Sequence, residues 1–418
     1  MELIEVIAIL VTLAAALSYV NHRFIRLPST VGLMLGSLAA SLTLMAGLWL
    51  FAPDWQPQPG RLVAGNIDFN KLLLEGMLAF LLFAGALHVN LNDLAANKWP
   101  VAVLAGVGVV GSTILVGLIV WLLSQLAGFG LEAIYCFLFA ALISPTDPVA
   151  VLALLRKGQA SPDLQTRITG ESLFNDGIGV VVFLTLLGIA EGGDWTVGGV
   201  TWLLAKEIAG GAAVGLILGY AAYRLIRSID HYQVEILATL ALVTGGYALS
   251  LRLGVSGPIA MVVAGLLIGN QGRRLAMSAR TREHLDMFWK LVDEILNAVL
   301  FVVIGLEVLV LTLSGRYLLA GAVAVAVVLG ARYICVAVSI ALLRGGHRFG
   351  PAAQRLLTWG ALRGGISVAL ALALPPGEPR QAVLTMTYVV VAFSILVQGL
   401  TIGRMIRRST LPASGGGA

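Results

Sequence analysis

Charge is scarce in this 418-residue chain: Lys, Arg, Asp and Glu make up only 12% of it, against 58% hydrophobic residues. A soluble domain carries about 25% charged residues, so there is too little here to cover a water-facing surface. With a mean hydropathy of +0.93, the composition is that of a membrane protein. Cysteine is nearly absent: Cys136 and Cys335 lie in separate apolar runs, which excludes a disulfide scaffold and marks both as small buried hydrophobes. The five histidines are scattered, none with a partner at ligand spacing, so no metal cofactor is expected. There is also no Gly-x-x-x-x-Gly-Lys-Ser/Thr loop and no long polar stretch, which excludes transport driven by a nucleotide-binding domain within this chain.

What the chain has instead is apolar runs. A helix of roughly 20 residues crosses a hydrocarbon core of ~30 Å, and thirteen such spans are expected, at residues 2–20, 28–52, 70–91, 99–125, 130–155, 166–190, 197–226, 233–251, 255–270, 287–313, 316–343, 351–374 and 380–405. The longest connections, 52–70 and 269–287, read as short polar loops, the first punctuated by Pro53, Pro57, Pro59 and Gly60. This implies one integral-membrane domain over residues 1–408 and a short tail, 409–418. The first span leads into Asn21-His22-Arg23 with no cleavage pattern, so it is expected to be retained.

Basic residues set an orientation, because short cytoplasmic loops accumulate Lys and Arg. With the C-terminus inside and the N-terminus outside, the inside loops hold Arg23, Arg26, Lys98, Arg156, Lys157, Arg167, Arg224, Arg227, Arg273, Arg274, Arg280, Arg282, Arg344, Arg348, Arg355, Arg404, Arg407 and Arg408. The outside loops hold only Arg61, Lys71, Arg252, Arg316 and Arg380. The formal charge of +5 thus belongs to loops facing an anionic leaflet, and no nucleic-acid partner is implied.

The informative residues are charges within spans, each costing roughly 2.5–3.5 kcal/mol at a helix centre. "GESLFNDGIGVVVF" carries Glu171, Asn175 and Asp176; "ISPTDPVAVLALL" carries Asp147; "TWGALRGGISVALALALP" carries Arg363. Residues four apart share a helix face, so Glu171 lies over Asn175 and Ser172 over Asp176. Arg363 is taken as the one full positive charge deep in a span. Its guanidinium pairs with one carboxylate and leaves another free. Pro145 and Pro148 bracket Thr146 and Asp147, breaking the fifth span and releasing backbone carbonyls that can bind a cation in a wet cavity. Gly360, Gly364 and Gly365 interrupt the twelfth in the same way. With the seventh span as linker, spans one to six and eight to thirteen form inverted halves in which the fifth corresponds to the twelfth. Two broken helices in matching positions point to a transporter site at mid-membrane.

"SPTDPVAV", "GESLFNDG", "SGPIAMVVAGLLIGN", "LNAVLFVVIGLEV" and "GALRGGISVALALALP", in that order over nearly the whole chain, closely resemble the NhaP-type sodium/proton antiporters of the monovalent cation:proton antiporter superfamily. The resemblance implies an all-α fold of thirteen helices with inverted repeats and a broken-helix crossing, a homodimer, and elevator-like alternating access. By motif, Asp176 resembles the ion-binding aspartate, with Asp147, Thr146, Ser172 and Asn175 around the ion. Asp176 and Asp147 are then the expected carboxylate ligands of the transported cation. Glu171 and Arg363 resemble a helix-locking ion pair. The chain departs from many relatives in its third span, where "LLFAGALHVNL" has Ala84 in place of a glutamate. Glu75 lies nine residues earlier on the opposite face and is a poor substitute.

Mechanism follows from competition: one aspartate holds a proton or a cation, not both. If the site reorients cheaply only when Asp176 is neutralised by either, the two ions exchange obligatorily across the bilayer. Na+ is the expected cation, with Li+ and K+ open, and the Asn-Asp order at Asn175-Asp176 resembles the electroneutral set. The expected place is a bacterial plasma or inner membrane, with a part in sodium transport and pH homeostasis and no enzymatic activity. Two other classes fit the residues less well. A channel needs a symmetric ring around a pore. An intramembrane aspartyl protease, pairing Asp147 with Asp176, is expected to show Gly-x-Gly-Asp where this chain has Phe-Asn-Asp-Gly.

Overall fold

The computed structural model describes residues 3–51, 76–148, 151–152, 155, 161–193, 196–306, 314–343, 349 and 352–410. The proline-marked loop 52–70, Arg61, Lys71, Glu75, Arg156, Lys157, Arg344, Arg348 and the tail residues 411–418 lie outside the described residues. Those described are almost wholly helical. The sole β-type contact among them is an isolated antiparallel bridge between Asp147 and Leu362.

In chain order the helices are α1 (Leu3–Val20), α2 (Ser29–Phe51), α3 (Leu78–Leu87), α4 (Leu91–Ala96), α5 (Lys98–Leu126), α6 (Ala133–Ile143), α7 (Pro162–Ala190), α8 (Val197–Arg227), α9 (Tyr232–Leu253), α10 (Gly257–Leu267), α11 (Ala279–Leu306), α12 (Gly315–Leu343), α13 (Ala353–Trp359), α14 (Gly365–Leu372), α15 (Glu378–Phe393) and α16 (Gly399–Thr410). Seven helical stretches among the described residues are long and apolar enough to cross a membrane singly, and shorter apolar ones accompany them.

Two expected boundaries move. The segment 269–287, read as a polar loop, is mostly helical: a π turn, Ile268–Gly272, leads into Arg273–Leu275, and α11 begins at Ala279. Its first two turns are amphipathic. Thr281, Leu285 and Trp289 are buried on one face while Arg280, Arg282 and Glu283 stay exposed on the other, a pattern that a search for uninterrupted apolar runs passes over. Arg167, assigned to an inside loop, is on α7. It is buried there, with its Nε donating to Asn97 Oδ1 at 2.8 Å.

The helices sort by their contacts into two groups, α1–α3 with α8–α11, and α5–α7 with α12–α15. In the first, the face of α8 bearing Gly211, Gly215 and Gly219 lies against the backbone at Ser256, Ala260 and Ala264, leaving no room for a side chain at Gly211 or Gly215. Small residues four apart bring two helices close where lipid provides no hydrophobic drive. Trp289 fixes α11 in the same group. It is fully buried against Phe83, ring centroids 4.7 Å apart, and its Nε1 donates to Thr239 Oγ1 at 3.1 Å. Cys136 and Cys335 are free and buried, as their surroundings in the sequence imply.

Candidate functional site at the helix crossing

The second group contains two interrupted helices that cross. After Ile143 the chain leaves the helix through Ser144–Pro148, because neither Pro145 nor Pro148 has an N–H to continue it. After Trp359 it does so again through Gly360–Gly364, with Gly364 extended at φ −113° and ψ −166°. The two extended segments meet where the Asp147 N–H donates to the Leu362 carbonyl at 2.7 Å. All five residues expected to interrupt the helices, Pro145, Pro148, Gly360, Gly364 and Gly365, lie at or beside these breaks. Gly364 packs on the Asp147 side chain so closely that a Cβ would overlap its carboxylate, and Gly365 faces Leu300 as tightly.

Helix α7 runs past the crossing and holds it from the side. Gly179 lies against the Pro145 ring with no space for a Cβ. Asn175 clamps Thr146 in both directions: its Oδ1 accepts from the Thr146 N–H at 3.3 Å and its Nδ2 donates to Thr146 Oγ1 at 2.8 Å. Thr146 Oγ1 also shares a 3.1 Å hydrogen bond with Ser172 Oγ. These partners replace helical hydrogen bonds that the prolines removed, as buried backbone requires.

The expected ion pair is placed differently. Glu171 pairs with Arg332 of α12, Oε1 to NH1 at 2.5 Å, and the two side chains are only 2% and 4% exposed. Arg332 also donates from Nε and NH2 to the Leu357 carbonyl, at 3.3 and 3.1 Å, tying α7 and α12 to α13. Arg363 instead turns its NH1 to the carbonyls of Ser144 and Pro145, at 2.7 and 2.8 Å, while its own N–H donates to Ser394 Oγ at 2.8 Å. The pairing of Glu171 with Arg363 is therefore corrected. The reason lies in the break itself, which leaves carbonyls beside a guanidinium whose only capacity is to donate. Arg332, in the expected span 316–343, is a second deep cation, which taking Arg363 as the one positive charge within a span missed.

Asp176 and Asp147 are left facing a cavity of about 560 Å³. Both are partly exposed to it, and they are near enough to interact electrostatically. Ser172, Pro145, Pro148, Gly364 and Gly365 share this lining, whereas Thr146, Asn175, Glu171, Arg363 and Gly360 stand behind it. Two carboxylates and a hydroxyl form an all-oxygen surface suited to a hard cation. Across the cavity stand α3, which contributes Ala84, Gly85 and His88, and α11, which contributes Lys290, Asp293, Glu294, Asn297 and Leu300. The sequence reading passed over the α11 residues, although three ionisable groups within five residues of the expected span 287–313 were a legible signal.

The profile of the family described as sodium/hydrogen exchanger, transmembrane, matches residues 9–408. The Na(+)/H(+) antiporter NhaP of Pseudomonas aeruginosa is 48% identical over 411 residues, 97% of each chain. The Na(+)/H(+) antiporter NhaH of Halobacillus dabanensis is 34% identical over 96% of this chain and 97% of its own. Among solved structures, the sodium proton antiporter MjNhaP1 of Methanocaldococcus jannaschii superposes with a TM-score of 0.77 at 19% identity, over 97% of this chain and 99% of the other, so the all-helical fold is that of this antiporter.

Proposed function

Since the chain belongs to the sodium/hydrogen exchanger family of multi-pass membrane transporters, and is a sodium/proton antiporter and not an enzyme, we propose that it exchanges one Na+ for one H+ by alternating access, with both ions competing for Asp176. The observation that carries this is the placing of Asp176 and Asp147 on one cavity at the crossing of two broken helices. Asp176 takes either a proton or the cation, and Asp147 and Ser172 add oxygen ligands. Thr146 and Asn175 hold the first break in shape from behind.

Neutralisation of Asp176 is what permits movement, because a bare carboxylate crossing the apolar interior costs several kcal/mol. The buried charges around the crossing do not change during this cycle. Glu171 is compensated by Arg332, and Arg363 is held by two carbonyls. Asn175 cannot ionise, and with Asp147 held charged as a fixed ligand beside the broken helix, Asp176 is the group that trades the proton, which supports a one-for-one count. Residues 1–408 act as one antiporter domain, as a homodimer in a bacterial plasma membrane. The N-terminus lies outside and the C-terminus in the cytoplasm, an orientation supported by the Lys and Arg of alternate loops. Sodium efflux coupled to proton entry suits sodium and pH homeostasis.

The test is proton movement in proteoliposomes under an imposed sodium gradient, with and without a potassium/valinomycin clamp. Proton movement at a rate indifferent to the clamp is the expected result. Movement that follows the membrane potential overturns the one-for-one count, and sodium flux without any proton movement overturns antiport in favour of a channel.

A further inference from the structure

Asp293 faces the same cavity as Asp147 and Asp176 from the opposite wall, on a helix of the other packed group. Its orientation is fixed twice over. One turn earlier Trp289 anchors α11 against Phe83 and Thr239, and one turn later Asn297 donates its Nδ2 to Asp293 Oδ1 at 3.1 Å. Beyond Asn297, Leu300 reaches the second helix break at Gly365. Residues 293, 297 and 300 therefore form a stripe along α11 from the outer part of the cavity down to the crossing. The charged groups lining this cavity are Asp147 and Asp176 at the crossing, with Lys290, Asp293 and Glu294 on α11, and the titratable His88 at the end of α3. Lys290 and Glu294 answer each other at 3.9 Å, with side chains 70% and 61% exposed. Asp293 is half-buried, and Asn297 brings it a neutral donor without a compensating charge. The third helix and its end offer no carboxylate here, only Leu81, Leu82, Ala84, Gly85, His88 and Val89, so the negative charge of the far wall comes from α11.

We infer that Asp293 is a further residue of the exchange reaction that sets cation affinity, drawing the cation into the cavity and raising its occupancy at Asp176 and Asp147 without following it across the membrane. A cleft lined by charge of one sign between low-dielectric walls focuses the field and concentrates counter-ions. A carboxylate on the group facing the crossing does this without adding charge to the part of the molecule that carries the ion.

This inference rests on the exchange reading of the site, and the experiment separates the two. Wild type, Asp293→Asn, Asp293→Glu and Lys290→Gln are compared by two readouts at fixed pH. One is the Na+ concentration giving half-maximal proton movement in proteoliposomes. The other is the Na+ concentration giving half of the Na+-induced rise in Tm in detergent, which needs no transport and so judges Asp293 even if exchange fails. Asp293→Asn is expected to raise both concentrations by about three- to tenfold with little change in maximal rate, and Asp293→Glu to restore them. Lys290→Gln is expected to lower both. The differences should shrink when ionic strength is raised with choline chloride. Unchanged half-saturation in Asp293→Asn overturns the inference. So does a loss of maximal rate alone, the mark of a merely structural residue, or a Lys290→Gln effect of the opposite sign.

Discussion

Arg332→Met probes the buried ion pair most directly. The substitution keeps an apolar stem but removes the cation from Glu171, which is 2% exposed, and both donors from the Leu357 carbonyl. Breaking one side of a buried pair costs about 3–5 kcal/mol, and loss of the carbonyl's partners adds about 1 kcal/mol. Arg363 is close enough to feel both Arg332 and Glu171, so relief of its repulsion from Arg332 offsets a part. At roughly 2–4 °C per kcal/mol or somewhat less for a chain of this size, Tm in detergent should fall by about 5–15 °C. Adding Glu171→Gln removes the uncompensated charge and should return about half of that loss. The same Glu171→Gln added to Arg363→Met should return much less, because the Arg363 donors are committed to Ser144 and Pro145. The measurement is scanning fluorimetry of both double-mutant cycles. Additive losses in the Arg332 cycle, or equal recovery in the two, would refute the pairing.

Asp176→Asn should fold with unchanged or raised Tm, since it removes a partly buried charge, yet lose exchange in proteoliposomes; near-normal exchange would end the proposed mechanism. Gly179→Leu should lower Tm by the equivalent of about 1–3 kcal/mol through overpacking against Pro145 and slow transport. Gly188→Leu on the same helix, with open space around it, should do neither, and equal effects would show that the Pro145 contact is unimportant. If a single proton competes with the cation, lowering the pH by one unit should raise the half-saturating Na+ concentration by up to about tenfold with maximal rate unchanged. A steeper, second-power dependence would indicate two protons.

Which parts of the site were legible in the sequence follows from how each part is encoded. Proline and glycine act on the backbone where they stand, so Pro145, Pro148, Gly360 and Gly364 located both breaks without reference to any neighbour. Helical spacing alone decides that Ser172 and Asp176 share one face and Glu171 and Asn175 the next, but not that only the first pair reaches the cavity while Asn175, expected around the ion, stands behind it. The partner of Glu171 depends on how α12 is rotated against α7, and no local pattern encodes that rotation; taking Arg363 as the one deep cation failed because Arg332 also lies within a span. Asp293 was missed for a related reason. It stands inside the expected span 287–313 beside Lys290 and Glu294, but only the packing of α11 across the cavity from the crossing shows which way this carboxylate faces.

The neutral side chain at position 175 connects the architecture of the crossing to its electrostatics. Thr146 needs an acceptor for its N–H, because the prolines on either side leave no helix to supply one, and its hydroxyl is held at the same time by a donor. An amide satisfies both demands at once, whereas a carboxylate can only accept and would take away the donor that holds the Thr146 hydroxyl. A carboxylate there would also place a second charge beside Asp176, in a region whose two arginines are already committed to Glu171 and to carbonyls. Asn175 therefore lets α7 brace the broken helix without adding a titrating group. In the proposed exchange, that leaves the charge state of the carrier to the carboxylates facing the cavity, with Asp147 restrained by its backbone bond to Leu362 and by the close packing of Gly364, and Asp176 as the group that takes up and releases the ions.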